Sequence, residues 1–199
     1  MARDEERRLI ERAKAGHADA FRQIVDAYKE RLFAFVWRTV RDNHEAEDIA
    51  QSAFVKAYEA LHSYDDQYAF STWLFTIAHR LCLNHLRKRR DVAGELDLAR
   101  VTRTAPDPPR TLAGTEEARR LREVIWSAVA ELSLPQQSAV LLFYREGKGC
   151  EEIGRVLGMP AVTVKSHLHR ARAKLREALS AELADDWSAI RLLNEAQSA

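Results

Sequence analysis

The sequence predicts an all-α protein built from two small helical domains joined by a flexible linker. The composition favours helices with ion-paired surfaces, because only seven glycines and five prolines occur among 199 residues and 31% of the residues are charged. Apolar residues recur at the helical period of 3.6 residues along most of the chain. That period is lost within residues 91–114, which contain three of the five prolines, and these residues therefore read as the linker.

The overall composition also limits the class of protein. A hydrophobic content of 46% is enough to bury a core, and the length allows one or two domains. Cys82 and Cys150 are too few for a disulfide framework. The first residues lack the apolar core of a secretion signal, and no apolar run reaches the ~18 residues that a membrane span needs. We therefore expect a soluble, cytoplasmic protein.

The first predicted domain spans residues 1–90 and contains helices over 4–15, 18–40, 43–62 and 72–90. The third of these helices begins at Asn43, a candidate N-cap, and its first turn is acidic, which suits the positive end of a helix dipole. Polar side chains lie off its apolar face, namely Glu45, Glu47, Asp48, Gln51, Ser52, Lys56 and Glu59. Such a face is either solvated surface or a docking site for a basic partner, and the sequence leaves both open.

Residues 62–71 lose the helical period and form a predicted loop that carries Tyr64, Tyr68 and Phe70. These aromatic rings either pack on the adjacent helices or offer stacking surfaces to unpaired bases. The following helix contains Trp73 and ends in four consecutive cations, among them Arg87 and Lys88. Cations in a last turn complement the helix dipole, and they are also suited to holding DNA phosphates.

The second predicted domain spans residues 115–183 and contains four helices, the first capped by Thr115. Gly158-Met159-Pro160 separates the last two helices, a spacing typical of a helix-turn-helix. In the last helix one apolar stripe is predicted to be buried: Val164, Leu168, Ala171, Leu175 and Leu179. The amphipathic tail over residues 184–199 suggests no function.

The region around this helix pair is strongly basic. Residues 154–176 contain six lysines and arginines and no acidic residue, although the whole chain has a formal net charge of only +1. A run of this kind is either a solvated surface or a DNA-reading helix, and the helix-turn-helix favours the second. The side chains expected to face a major groove lie off the apolar stripe: Lys165, Ser166, His169, Arg170 and Arg172.

Enzyme chemistry has little support in the sequence. No glycine-rich phosphate loop, paired metal-ligand motif or nucleophile elbow occurs. His79, Cys82 and His85 have spacings that would place them on one helix face, so a metal site is conceivable, but small core cysteines and ordinary histidines explain the same pattern. We expect no enzyme activity, no metal and no cofactor.

Several segments in order resemble the extracytoplasmic-function sigma factors of bacteria. They are residues 46–54 (AEDIAQSAF), 70–78 (FSTWLFTIA), 134–137 (LPQQ), 152–154 (EIG) and 163–172 (TVKSHLHRAR). The resemblance implies two helical domains, called regions two and four, which direct core RNA polymerase to promoter DNA. It also implies an anti-sigma factor that holds the protein inactive.

The resemblance assigns roles to the candidate residues. The helix with Glu47, Asp48, Gln51 and Ser52 corresponds to the one that docks on the clamp helices of the polymerase's largest subunit. Residues 62–73 correspond to the loop that captures a flipped base of the minus-ten element, and the basic helix end after it faces the DNA backbone. Lys165, Ser166, His169 and Arg170 match the positions that read the minus-thirty-five element. The competing hypothesis is a helix-turn-helix regulator that does not bind core polymerase.

Overall fold

The computed structural model describes residues 3–93 and 116–182, which belong to two compact helical units. No β-strand occurs in either range, and the predicted all-α fold is confirmed. Within the same ranges, no helix combines the length and the apolar character that crossing a bilayer requires. The predicted Thr115 cap and the tail over residues 184–199 lie outside the described residues.

The first unit is a bundle around one central helix. It contains α1 (Arg3–Lys14), α2 (Ala18–Val40), α3 (Asn43–Glu59) and α4 (Phe70–Ala93), with a short 3-10 turn at Leu61–Ser63. Helix α2 packs against the other three helices, and α3 also packs against α4. Fully buried side chains include Ile24, Leu32 and Phe35 from α2, and Phe35 meets Phe75 of α4 edge to face at a centroid distance of 5.2 Å. This apolar core supports the loop between α3 and α4.

Several helix ends in the first unit differ from the prediction, including the end of α3, which lies at Glu59 and not at residue 62. The N-cap of α3 is Asp42, whose carboxylate accepts a hydrogen bond from the Glu45 N–H, whereas the Asn43 side chain donates to Glu47. Helix α4 begins at Phe70, inside the predicted loop. It also continues to Ala93, three residues into the predicted linker, because no helix-breaking residue occurs before Gly94. Residues 94–114 of that linker lie outside the described residues.

The second unit is built on its last helix. It contains α5 (Glu116–Ala130), α6 (Leu134–Val140), a π-helical turn (Leu141–Arg145), α7 (Cys150–Leu157) and α8 (Ala161–Glu182). Helix α8 packs against α5, α6 and α7. The predicted apolar stripe is confirmed, since Val164, Leu168, Ala171, Leu175 and Leu179 are all buried. The π-helical turn follows α6 directly, and its residues Leu141 and Leu142 are buried.

The turn between α7 and α8 follows the predicted helix-turn-helix pattern. Gly158 has a φ of 69°, a left-handed conformation that glycine adopts without strain, and it ends α7. The Met159 N–H donates to the Gly154 carbonyl at 2.9 Å. A β-carbon placed on Gly154 would lie 2.6 Å from the Met159 oxygen. The close approach of the turn to α7 therefore requires glycine at residue 154.

Candidate functional site

One face of α8 presents the predicted DNA-reading side chains. Lys165, Ser166, His169 and Arg170 are all exposed, on the side opposite the buried stripe. The Ser166 hydroxyl donates to the Val162 carbonyl at 3.1 Å, one turn earlier in the helix. The face therefore combines two permanent cations with a histidine and a hydroxyl whose hydrogen is already engaged.

The same face contains a residue that the sequence analysis missed. Val162 is 69% exposed and lies three, four and seven residues before Lys165, Ser166 and His169, so it shares their side of the helix. Apolar side chains in a DNA-reading position contact the methyl group of thymine. The helical spacing alone places Val162 on this face, although its side chain carries no charge or polar group.

Arg172 differs from the other predicted DNA contacts because it is held by the π-helical turn. Its Nε–H donates to the Tyr144 hydroxyl at 2.8 Å, and its guanidinium lies 5.4 and 5.8 Å from the ring centroids of Phe143 and Tyr144. The two rings pack edge to face at 5.0 Å. Arg172 is half-buried and lies at the edge of the exposed α8 face.

In the aromatic loop, the structure distinguishes the rings that pack on the helices from the ring that is open to solvent. Tyr64 is buried, Phe70 has no exposed surface, and their rings pack edge to face at 5.4 Å. Trp73 is half-buried, with its ring 5.3 Å from that of Tyr64. Tyr68, in contrast, is 41% exposed. Tyr64 and Phe70 therefore belong to the supporting core, because Tyr28 of α2 packs on Phe70 and Trp73 of α4 packs on both rings, and Tyr68 is the most exposed ring of the loop.

A hydrogen bond links the buried and exposed rings of this loop. The Tyr64 hydroxyl donates to the Tyr68 carbonyl at 2.6 Å. Burial, followed by the nearby negative charge of Glu6, raises the pKa of Tyr64 to about 12, so its hydroxyl stays a donor at neutral pH. Farther along α4, Arg87 and Lys88 are exposed, as predicted for a basic helix end.

The outer face of α3 exposes the four predicted docking residues, Glu47, Asp48, Gln51 and Ser52. Glu45 does not belong to this face, because its carboxylate lies 3.3 Å from Nδ1 of His85 on α4. Two apolar residues missed by the sequence analysis do belong to it. Val55 is 56% exposed and Tyr58 is 46% exposed, with the Tyr58 ring packed on Phe21 at 4.9 Å. The face is therefore acidic at one end and apolar at the other.

The three residues of the conceivable metal site have separate surroundings. His79 and Cys82 are buried, the former 6.4 Å from the Phe35 ring, whereas His85 faces Glu45. Burial lowers the pKa of His79 to about 4 and raises the pKa of Cys82 to about 12. Among residues 3–93 and 116–182, no group of three or more histidine, cysteine or acidic side chains is arranged to hold a metal ion.

Comparison with known proteins identifies the two units. Residues 24–92 match the Sigma-70 region 2 family, and residues 122–175 match the Sigma-70, region 4 family. The chain belongs to the extracytoplasmic-function (ECF) family of RNA polymerase sigma factors. It is therefore a sigma factor that binds core RNA polymerase and directs promoter-specific transcription initiation. Members of this family are transcription initiation factors and not a known class of enzymes.

Individual relatives cover nearly the whole chain. The ECF RNA polymerase sigma factor SigW of Bacillus subtilis is 34% identical, over 87% of this chain and 96% of that protein. The ECF RNA polymerase sigma-E factor of Escherichia coli is 31% identical, over 82% of this chain and 88% of that protein. Because the first unit also matches a sigma family, the hypothesis of a helix-turn-helix regulator without polymerase binding is set aside.

Two solved structures have similar folds. CnrH in complex with the cytosolic domain of CnrY superimposes with a TM-score of 0.64 at 26% identity, over 92% of this chain and 99% of that chain. The sigma factor RpoE in complex with the anti-sigma factor NepR from Bartonella quintana has a TM-score of 0.66 at 24% identity, over 80% of this chain and 96% of that chain. The second likeness concerns the fold alone.

Proposed function

We propose that this sigma factor docks on the clamp helices of the polymerase's largest subunit through the outer face of α3. The exposure of Glu47, Asp48, Gln51 and Ser52 supports this role, since acidic and polar side chains suit a basic partner. Val55 and Tyr58 extend the docking surface with apolar area at its end. Such a surface combines an apolar contact with charge complementarity, which together favour a specific orientation.

The minus-ten element is read at the loop between α3 and α4. Tyr68 provides the exposed ring, Trp73 contributes a half-buried wall, and Tyr64 and Phe70 support both from beneath. A flipped base requires a stacking wall that does not itself rearrange. Arg87 and Lys88 are exposed within the last two turns of α4, where they neutralise backbone phosphates.

The minus-thirty-five element is read by the exposed face of α8. Lys165 and Arg170 suit guanine edges or phosphates, and His169 lies between them on the same face. The Ser166 hydroxyl already donates to Val162, so its oxygen is left as an acceptor for an amino group of adenine or cytosine. Val162 contacts a thymine methyl group. Arg172, held by Tyr144, contributes a phosphate contact at the edge of this face.

Regulation by an inhibitory protein is part of the same proposal. CnrH, 26% identical to this chain, was solved with the cytosolic domain of CnrY bound to it. We infer that an anti-sigma factor binds this chain in the same way and competes with core polymerase. The chain works in the cytoplasm, where core polymerase is found, and has no chemistry of its own.

The observation that carries the proposal is the order of the two family matches, region 2 and then region 4, each with its expected face exposed. Run-off transcription on genomic fragments of the source bacterium tests it, with the 5′ ends of the transcripts sequenced. Core polymerase with this chain should start at discrete sites that share minus-ten and minus-thirty-five sequences. Identical start sites with and without the chain would contradict a sigma function.

A further inference from the structure

Helix α1 lies next to the aromatic loop, although the matched region 2 segment begins only at residue 24. Its buried residues Leu9, Ile10 and Ala13 face α2, which fixes the helix on the bundle. Its last residue, Lys14, is directed toward the loop between α3 and α4. The contacts of that lysine connect a helix outside the matched segment to the loop assigned to the minus-ten element.

Lys14 makes three contacts from a largely covered position. Its Nζ donates to the Tyr64 carbonyl at 3.3 Å and lies 5.6 Å from the centroid of the Tyr64 ring. Nζ also lies 3.6 Å from Glu11 in the preceding turn, and the side chain is only 23% exposed. The 3.3 Å separation is at the long end of the hydrogen-bonding range, and the positive charge of the donor strengthens the contact. The loop backbone at residue 64 is therefore anchored to α1.

Tyr64 transmits this anchoring to the exposed ring. Its hydroxyl donates to the carbonyl of Tyr68, so the backbone of Tyr68 is connected to α1 through one intervening side chain. A second chain of contacts connects α1 to the aromatic residues at the start of α4. Glu6 of α1 accepts a hydrogen bond from the Tyr28 hydroxyl, and the centroid of the Tyr28 ring lies 5.8 Å from that of Phe70. The ion pair between Arg7 and Asp66 is exposed on both sides and adds little.

We infer that α1 positions the base-reading loop of the first unit, and that Lys14 is a positioning residue for promoter opening. The inference rests on the proposed role of residues 61–69 at the minus-ten element. Without the Lys14 contact the loop samples other conformations. The apparent affinity for unpaired bases then falls in proportion to the fraction of molecules whose loop keeps the base-reading conformation. Core binding through α3 and duplex binding through α8 do not depend on this contact.

The test compares Lys14→Met with Arg12→Met in the full chain bound to core polymerase. Both substitutions replace a long cation of α1 with the same apolar side chain, but Arg12 pairs with Asp19 at 2.7 Å and does not contact the loop. The probe is a duplex promoter selected from a randomised library by the wild-type holoenzyme, with 2-aminopurine in its minus-ten segment. Lys14→Met should lower the equilibrium constant for promoter opening about three- to tenfold, whereas Arg12→Met should leave that constant unchanged.

A second variant tests the connection through Tyr64. Tyr64→Phe keeps the packed ring but removes the hydrogen bond to Tyr68, and it should reduce opening by a similar factor. In the double variant the fold-loss of promoter opening should be smaller than the product of the two single-variant losses, because both substitutions act on the same loop. Independent, fully multiplicative losses would overturn the inference that Lys14 acts through Tyr64 on the loop.

Tyr68→Ala distinguishes a failure of this inference from a failure of the proposed function on which it rests. If Tyr68→Ala impairs opening and Lys14→Met does not, the positioning role of α1 is overturned and the loop assignment stands. If Tyr68→Ala opens the promoter like the wild type, the loop assignment itself fails, and the inference with it. Equal losses of opening and of affinity for core polymerase in Lys14→Met would mean a general structural role, which would also overturn the inference.

Discussion

At the scale of single residues, His79 shows how burial sets the charge of a side chain. It is 5% exposed in the core of the first unit, on α4 and close to Phe35 of α2. Burial, with a smaller contribution from the neighbouring positive charge of Arg80, lowers the pKa of His79 from 6.5 to about 4. The folded chain therefore keeps His79 neutral at pH values where the unfolded chain protonates it.

This difference predicts a loss of stability in mild acid. Between pH 6.5 and about 4 the unfolded state binds a proton that the folded state excludes, so the free energy of unfolding falls as the pH falls. The loss between pH 7.5 and 4.5 should be about 2–3 kcal/mol larger for the wild type than for His79→Leu. Urea unfolding of both proteins at the two pH values measures it. Parallel losses in the two proteins would show that His79 is not the titrating group.

Gly154 is a second residue whose surroundings dictate its identity. Alanine there should destabilise the second unit by about 1–2 kcal/mol, because the methyl group collides with the Met159 carbonyl and the turn must move. Gly149→Ala is the steric comparison, since no atom lies within 4 Å of a β-carbon at that position, but it also replaces the N-cap of α7. Thermal unfolding compares both variants with the wild type. Wild-type stability of Gly154→Ala would mean that the turn can relax without cost.

At the scale of elements, α3 and α8 share one design in which a buried stripe fixes the helix and the opposite face is left for a partner. On α3 that face holds Asp48 at its acidic end, followed along the helix by exposed polar and apolar side chains. On α8 it holds Arg170 and three other predicted contacts. Because the buried stripe carries the stability, substitutions on the outer face should separate binding from folding.

Charge reversal on α3 tests its docking role. Asp48→Arg should weaken binding to core polymerase at least tenfold by placing a cation against a basic partner, while the unfolding free energy changes by less than ~0.5 kcal/mol. Glu5→Arg, an equal charge reversal in the exposed first turn of α1, should leave core affinity unchanged. The affinity of both variants for core polymerase shows whether α3 belongs to the docking surface. Unaltered affinity in Asp48→Arg would remove α3 from the docking surface.

Truncation on α8 tests its reading role. Arg170→Ala should cost ~1–3 kcal/mol at one base position if the guanidinium reads a base edge, and should weaken all sequences alike if it holds a phosphate. Lys174→Ala removes an exposed cation farther along the same helix and serves as the comparison. Binding to a panel of single-base promoter variants distinguishes the two roles. A variant that binds the whole panel like the wild type would exclude both.

At the scale of the whole molecule, the chain consists of two units, each with its own apolar core. In the first, α2 provides side chains such as Ile24 and Leu32, and in the second the buried stripe of α8 meets α5, α6 and α7. The domain boundaries at residues 90 and 115 remain predictions. Independent cores imply that each unit can fold without the other.

Fragments test this independence. Polypeptides covering residues 1–105 and 106–199 should each be helical and unfold cooperatively, because the contacts that stabilise each core lie within one fragment. Their summed circular dichroism spectra should reproduce that of the full chain, and limited proteolysis should cut the full chain between residues 105 and 112. A fragment that is unfolded alone would show that its core depends on the other unit.

The sequence by itself determined the features that depend on local spacing. The helical period located the buried stripe of α8 and the exposed faces of α3 and α8, since residues three and four apart share one side of a helix. Gly158 and Pro160 located the turn of the helix-turn-helix for an equally local reason, because glycine permits the left-handed backbone that ends a helix and proline interrupts the helical hydrogen bonds. The ordered motifs then identified the family.

Only the tertiary structure decided which side chains are covered and by what. Tyr64 and Phe70 are buried because Tyr28 of α2 packs on Phe70 and Trp73 of α4 packs on both rings, although loop aromatics can equally remain open. Arg172 is held by Tyr144, which is 28 residues away in the chain, and Lys14 reaches Tyr64 across 50 residues. No local pattern encodes such contacts, because they depend on how separate helices pack, and each of them changes the role that a side chain can perform.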